Sequence, residues 1–470
     1  MKKKLEIRLP AKAGAWYVVS SFLIKLGGMA ATPIFTHAMS AEEYGKYALY
    51  MSWIAILSVI TTLGLTGSVV YRGLQKFEDR RDELISSALG LSLVMLGAFA
   101  SAFLIWGKEI SSFTGLDGGL SVLLIGQIAL DTVVAFYTAK SRYVYGYGRV
   151  IAINLISAFL SLGISLLLVF LVEPTANVRI YALLFSTLIF ALPLFITILW
   201  KGKRLFSRDI WGFLLKFNLP LLPHSVSAAV LANVDKVMIS GAAGGAALAK
   251  YSVAHSLGVG MTFVTGGLGS ALQPWIMRKI AAGKEARVAS VSLKITLLIS
   301  IGALGILTLA PELLSLLAPD SYSDALISVY PITLAAIVGF VATVASVGIL
   351  HEEKTGLLSL SAIVGALVNI GANFLLLPYS YNGAAFAFLG ASIASAAISI
   401  IAARKVMRSS IVRALPSIFV FLISAALSFI LYAMRALFVP RMIALVILAA
   451  LGVLALLNIK KDITERKAAD

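Results

Sequence analysis

The chain has 470 residues, 60% of them hydrophobic and 13% charged, with a mean hydropathy of +0.95. Soluble domains carry about a quarter charged residues, so there is too little polar side chain to coat a globule of this size, and a water-soluble protein is excluded. The 39 Lys and Arg against 22 Asp and Glu give a formal charge of +17, and the absence of cysteine removes disulfides, thiolate metal ligands and a thiol nucleophile.

Apolar runs of about 20 residues mark spanning helices. Fourteen are predicted, over 13–36, 47–70, 84–106, 120–139, 150–172, 180–200, 217–239, 251–277, 288–310, 329–350, 357–377, 383–403, 414–434 and 441–459. Their length and continuity argue against a β-barrel, whose strands read as short alternating segments. The run behind Met1-Lys2-Lys3-Lys4 is too long for a signal-peptide core and no polar domain follows it, so it counts as the first helix. With the N-terminus inside, the inner segments hold 30 of the 39 Lys and Arg, the outer ones five, and Lys25, Lys236, Lys294 and Arg441 fall within spans. One span more or fewer would scramble this partition. Both termini are therefore expected in the cytoplasm of a multi-pass plasma (inner) membrane protein, and the basic excess reads as topology rather than nucleic-acid binding. No soluble domain of folding size is present, so the protein acts within the bilayer or at its faces.

An internal repeat is visible. Tyr44-Gly45-Lys46-Tyr47-Ala48-Leu49-Tyr50 matches Leu248-Ala249-Lys250-Tyr251-Ser252-Val253-Ala254 at an offset of 204 residues, and the same offset sets Leu63-Gly64 on Gly267-Leu268 and brings Arg72 within two residues of Arg278. Six spans separate the copies, which preserves orientation. The expected organisation is an N-lobe over 1–200, a C-lobe over 201–405, and two further helices with a short cytoplasmic tail over 406–470.

These residues resemble a known family. Ala13-Gly14-Ala15-Trp16 through Pro33-Ile34-Phe35, then Glu43-Tyr44-Gly45-Lys46-Tyr47 and Leu63-Gly64-Leu65, are similar to the opening of Wzx-type polysaccharide flippases of the multidrug/oligosaccharidyl-lipid/polysaccharide (MOP) exporter superfamily. Asn218-Leu219-Pro220-Leu221-Leu222-Pro223-His224-Ser225, Asn233-Val234-Asp235-Lys236-Val237-Met238-Ile239 and Gln273-Pro274-Trp275 extend the likeness to roughly residues 10–400. The resemblance implies two six-helix lobes facing each other across a central cavity that opens alternately to each side. It also implies an isoprenoid-diphosphate-linked oligosaccharide, carried to the outer leaflet, as the substrate.

Polar residues within the spans are candidates for a water-filled path, because an ion at mid-bilayer costs at least about 2.5 kcal/mol. Lys25 lies about 18 Å into its helix, too deep for easy snorkelling; it could face a cavity or pair with a neighbouring acid. Asp131, beside Gln127, suits a counter-ion for Lys25 or a proton carrier. Arg72, Lys140 and Arg142 gather at inner helix ends, where guanidinium forks match diphosphate oxygens, although the positive-inside rule places arginines there unaided. Prolines 220 and 223 interrupt a helix that carries His224, Asn233, Asp235 and Lys236, a common transporter device. Asp235 and Lys236 project about 100° apart and do not simply neutralise each other. His255 could pair with Asp235. Asn369 and Asn373 share one helix face, for sugar hydroxyls or for gluing helices. No cofactor and no metal site is expected; coupling to H+ or Na+ through Asp131, Asp235 or His255 is left open.

Three classes compete. A flippase for a lipid-diphosphate-linked oligosaccharide accounts for the cations, the short outer loops and the lack of a catalytic constellation; its partners would be membrane lipids and downstream polymerase or export machinery. A MATE-like multidrug or cation antiporter would favour acidic groups where Lys25 stands. A membrane-embedded polymerase or glycosyltransferase would need acid, base or metal ligands on an outer loop, where Asp320 and Asp324 are the best hint.

Overall fold

The computed structural model describes residues 2–144, 146–407 and 411–465; the expected tail beyond 465 lies outside them. The described residues form helices and turns with no strand among them, as a bilayer demands of backbone that must bond to itself. Contacts group the chain into two compact units, Met1–Ala249 and Lys250–Asp470.

Unit 1 opens with α1 (Lys2–Ala38) and α2 (Ala41–Thr61). Ser40 caps α2 by accepting the Glu43 amide at 3.2 Å, with Glu42 and Glu43 in the first turn. The predicted span 47–70 is not one helix. α2 stops at Thr61, Leu63 and Gly64 adopt left-handed φ of 52° and 63°, and the chain restarts as α3 (Ser68–Lys76). The turn frees the Leu63 carbonyl, and the side-chain amide of Asn218 donates to it. Next come α4 (Arg81–Ile105), the short α5 (Gly107–Thr114), α6 (Gly118–Tyr143), α7 (Tyr147–Leu171), α8 (Ala176–Gly202) and α9 (Arg208–Asn218). α9 buries Ile210 and Leu214 in a cluster with Leu74, Leu84, Leu89 and Phe136, and its Trp211 Nε1 donates to the Ser87 carbonyl at 2.9 Å.

α10 (Leu222–Gly258) starts five residues later than the predicted span 217–239. Pro220 lies in the break after α9. Pro223 lies in the first turn of α10, where a missing amide hydrogen costs no helical bond. α10 is itself broken at Gly244 (φ 83°, ψ 175°). The Glu42 carboxylate receives the amides that begin again beyond the break, Gly245 N at 3.2 Å and Ala246 N at 2.9 Å. Its neighbour Glu43 receives Ala176 N at 2.5 Å, at the start of α8. A Cβ on Gly45 would stand 1.9 Å from the Gly245 carbonyl oxygen, so only glycine allows this approach.

In unit 2, α11 (Gly260–Ala281) follows a joint at Val259, which divides the predicted span 251–277. It leads to α12 (Glu285–Leu317), α13 (Leu326–His351), α14 (Thr355–Leu376), α15 (Gly383–Met407), α16 (Ala414–Ala433) and α17 (Phe438–Glu465). α13 is the hub, packed by α11, α12, α15 and α16, with Ile337, Phe340 and Val344 in a core shared with Ile299. α16 and α17 pack on α12. Arg441 of α17, 3% exposed, forks onto Glu312 of α12 at 2.8 and 2.5 Å and donates to the Thr308 carbonyl at 2.7 Å.

The repeated motif makes the same ion pair in each unit. Lys46 reaches Asp117 at 3.4 Å, just before α6, and Lys250 reaches Asp324 at 3.0 Å, just before α13. Among the described residues, eleven helices are long and apolar enough to cross a membrane. One of these, Leu222–Ala281, counts 60 residues and would measure about 90 Å if straight, three times the hydrocarbon thickness; the non-helical backbone at Gly244 interrupts it.

Candidate functional site: a basic cleft at one end of unit 1

The ends of α6 and α8, the starts of α4 and α7, and all of α3 and α9 meet at one end of unit 1, and the sequence places most of this unit's lysines and arginines there. A cleft of about 590 Å³ opens among Tyr71, Arg81, Arg142, Tyr143 and Val144. Arg81 is preset. Its Nε donates to the Leu74 carbonyl at 3.1 Å, one terminal nitrogen to Glu78 at 2.7 Å, and its guanidinium carbon stands 5.0 Å from the Tyr143 ring centre. Arg142, the last basic residue of α6, is exposed on the cleft wall. The Arg142 guanidinium and the second terminal nitrogen of Arg81, beside two phenols, form a set suited to a phosphate or diphosphate ester.

Arg72 lies on the same α3 as Tyr71, exposed, with its guanidinium carbon 5.4 Å from the Phe217 ring centre. Lys76 stands 4.6 Å from the Phe213 ring centre. Behind them Arg80 ties α4 to α9. It forks onto Glu83 at 2.8 and 2.7 Å and reaches Asp209 at 2.7 Å, while the Ser207 hydroxyl donates to Asp209 at 2.5 Å. The Ser207 bond first, then Arg80, hold the Asp209 carboxyl down to about 2. Arg81, Tyr71 and Tyr143 were not singled out by sequence. The break at Leu63-Gly64 is what turns α3 toward them, and its only trace in the sequence is the Gly64 and Gly67 pair.

The remaining candidates sit elsewhere. Lys25 is exposed on α1, 13 residues or about 20 Å from the helix end. It lies some 200° around the helix from Gly27, where an added Cβ would meet Phe159 of α7 at 3.1 Å, so Lys25 points away from α7. Asp131 does not take Lys25 as its partner among the described residues: its Oδ1 accepts Gln127 Nε2 at 3.0 Å, and the same nitrogen donates to Thr187 of α8 at 3.1 Å. Gln127 Oε1 and the Tyr50 hydroxyl are buried with no bonding partner among the described residues.

His224 stands in the first turn of α10, its Nδ1 likewise buried and without a bond. Asn233 Nδ2 donates back to the Ala229 carbonyl at 3.1 Å. Asp235 is fully buried and accepts the Lys236 backbone amide at 2.9 Å. In unit 2, His255 is buried between the Tyr251 and Phe388 rings, with centres 5.7 and 5.8 Å away. Asn369 and Asn373 are fully buried in α14 and bonded to each other, Asn373 Nδ2 donating to Asn369 Oδ1 at 2.7 Å. Among the described residues no cluster of three or more His, Asp or Glu is placed to hold a metal ion.

This arrangement of apolar helices has known counterparts. It is similar to a lipid II flippase MurJ in an inward closed conformation (TM-score 0.71, 16% identity, covering 96% of this chain and 99% of that one). It is also similar to an inward-facing MATE family multidrug resistance transporter of the MOP superfamily (TM-score 0.63, 15% identity, 82% and 94%) and to an outward-facing one (TM-score 0.56, 15% identity, 85% and 96%). The fold is thus the one that these solved transporters and this flippase share, and its apolar helices make the chain a multi-pass membrane protein. The family model described as polysaccharide biosynthesis protein matches residues 11–279, and the chain belongs to that family. A search of curated protein sequences finds no match.

Proposed function

We propose that the protein flips an isoprenoid-diphosphate-linked oligosaccharide from the cytoplasmic to the outer leaflet by alternating access, for cell-surface polysaccharide synthesis. In this reading it lies in the inner membrane with both termini and the basic end of unit 1 in the cytoplasm. The observation that carries the reading is the cleft with Arg81 and Arg142 on its walls and Tyr71 and Tyr143 beside them. A diphosphate headgroup arriving in the inner leaflet meets this cleft first. Charge-assisted bonds hold it there, each contributing about 1.5–3 kcal/mol. Arg72 adds charge on the approach, and Lys25 serves as the cation further along the path. His224, Asn233 and Lys236 on α10 offer donors and acceptors for headgroup and sugar. Release at the outer face requires an energy source, supplied by H+ or Na+ through Asp131, Asp235 or His255. The delivered glycan then passes to a polymerase or export machinery.

Deleting the gene tests the reading. A lipid-linked glycan should accumulate on the cytoplasmic side. Wild-type protein should restore surface polysaccharide, and an R81Q/R142Q variant at equal membrane abundance should export at least tenfold less. Absence of any accumulated lipid-linked glycan, or full complementation by the double variant, overturns it.

A further inference from the structure

A second cleft opens at the same end of unit 1 and shares Val144 with the first. Its volume is about 140 Å³, well above the roughly 10–15 Å³ that a single water needs, and gives room for one phosphate with its ester carbons. Four helices wall it: Asp82 from α4, Tyr137 and Lys140 from α6, Arg149 from α7, Thr197 and Lys201 from α8. The Asp82 carboxylate is taken by Lys140. That leaves Arg149 and Lys201 as surplus positive charge around a concave, partly enclosed space. Arg149 lies in the first turn of α7, whose leading amides receive no side-chain cap and add a field of the same sign. A purely structural ion-pair cluster would match its signs; this one has three bases to one acid.

What lies beside the cleft indicates the source of the anion. Tyr181, Phe185, Leu192, Ile196 and Trp200 form one exposed row along α8, each more than half exposed, and the row ends one residue before Lys201. In a bilayer such a row lies against acyl chains, and the basic end of the helix lies at headgroup depth.

We propose that this cleft binds the phosphate of an anionic phospholipid of the cytoplasmic leaflet, with the acyl chains laid along α8. Arg149 and Lys201 hold the phosphate, Thr197 and Tyr137 offer hydroxyls to its oxygens, and the Asp82–Lys140 pair closes the floor. The proposal rests on the membrane-spanning class and on the basic end facing the cytoplasm, not on which lipid-linked glycan is carried. A soluble phosphate ester would meet the same groups, so the two sources are separated by experiment.

The test uses the purified full-length protein in neutral detergent and reads its thermal midpoint against added phosphatidylglycerol, phosphatidylcholine or sodium phosphate. Phosphatidylglycerol should raise the midpoint in a saturable way, and the other two should not. Each basic group near a membrane surface contributes about fivefold in affinity; R149Q/K201Q should therefore shift half-saturation about 30-fold. If that variant does not fold, K201Q alone, at the exposed end of α8, should shift it about fivefold. Equal stabilisation by phosphatidylcholine, or unchanged affinity in K201Q and R149Q/K201Q, overturns the proposal. An equal rise with phosphate alone overturns the lipid assignment in favour of a soluble phosphate. R81Q/R142Q should keep the full phosphatidylglycerol response while losing export, so failure of this inference and failure of the flippase reading give different results.

Discussion

Gly45 offers the sharpest test of how unit 1 is held together. Alanine there places a methyl carbon 1.9 Å from the Gly245 carbonyl oxygen and 2.8 Å from its Cα. Both are backbone atoms, so no side chain can swing aside. An ordinary contact needs about 3.4 Å, and α2 must therefore retreat from the segment beyond Gly244 by about 1.5 Å. That movement stretches the Glu42 bonds to Gly245 N and Ala246 N, now 3.2 and 2.9 Å, past any useful length. Overpacking contributes about 1–3 kcal/mol, and the lost carboxylate bonds, being exposed, about 1–2 kcal/mol in total. The expected destabilisation of G45A is about 2–5 kcal/mol, which at about 2–4 °C per kcal/mol lowers the apparent midpoint by roughly 5 °C or more. Because membrane proteins often unfold irreversibly, midpoints should be compared at one scan rate in one detergent. E42Q, which keeps the shape and removes the charge, should cost less than 1 kcal/mol. A G45A midpoint within 1 °C of wild type, or an E42Q loss as large as that of G45A, would refute the reasoning.

Four further outcomes are expected. Glu312→Ala leaves the Arg441 guanidinium buried without its acid; because Glu312 is itself 39% exposed, the cost falls below the fully buried range, to about 2 kcal/mol. A double-mutant cycle with Arg441→Met should return a coupling of the same order, and zero coupling would show the pair to be idle. Asp209 titrates well below the ordinary carboxylate near 3.9 because of Ser207 and Arg80. Its stabilising contribution is therefore complete above about pH 4 and lost as pH falls through about 2. The midpoint gap between wild type and D209N should shrink over that window, and a gap that widens on acidification contradicts the geometry. K25A should abolish export with membrane abundance unchanged; normal export would remove Lys25 from the path. In proteoliposomes, D131N or D235N should free glycan translocation from the imposed proton or sodium gradient, and retention of that dependence by both variants would exclude either carboxylate as the coupling group.

Most helices were legible because most of the apolar runs are bounded by charge. Asn369–Asn373 and Gln127–Asp131 were legible as one-turn spacings on a helix, and both make the bonds that spacing allows. The breaks were not. Hydropathy carries the predicted second span through Leu63-Gly64-Leu65 without interruption, whereas the backbone there turns left-handed; Pro220 is likewise flanked by the apolar Leu219 and Leu221. Such turns depend on a distant partner, here the Asn218 amide reaching Leu63, and no local pattern encodes that. Arg81 was hidden for a different reason. One arginine among many at an inner helix end looks like topology until Leu74, Glu78 and Tyr143 are seen to fix its direction.

The bond from Asn218 to Leu63 has a dynamic consequence. It fastens the interruption after α2 to the interruption after α9, so neither stretch can loosen without releasing the other. Hydrogen–deuterium exchange should therefore find the amides of 62–67 and 219–225 opening as one cooperative patch with a common protection factor, although 150 residues of chain lie between them.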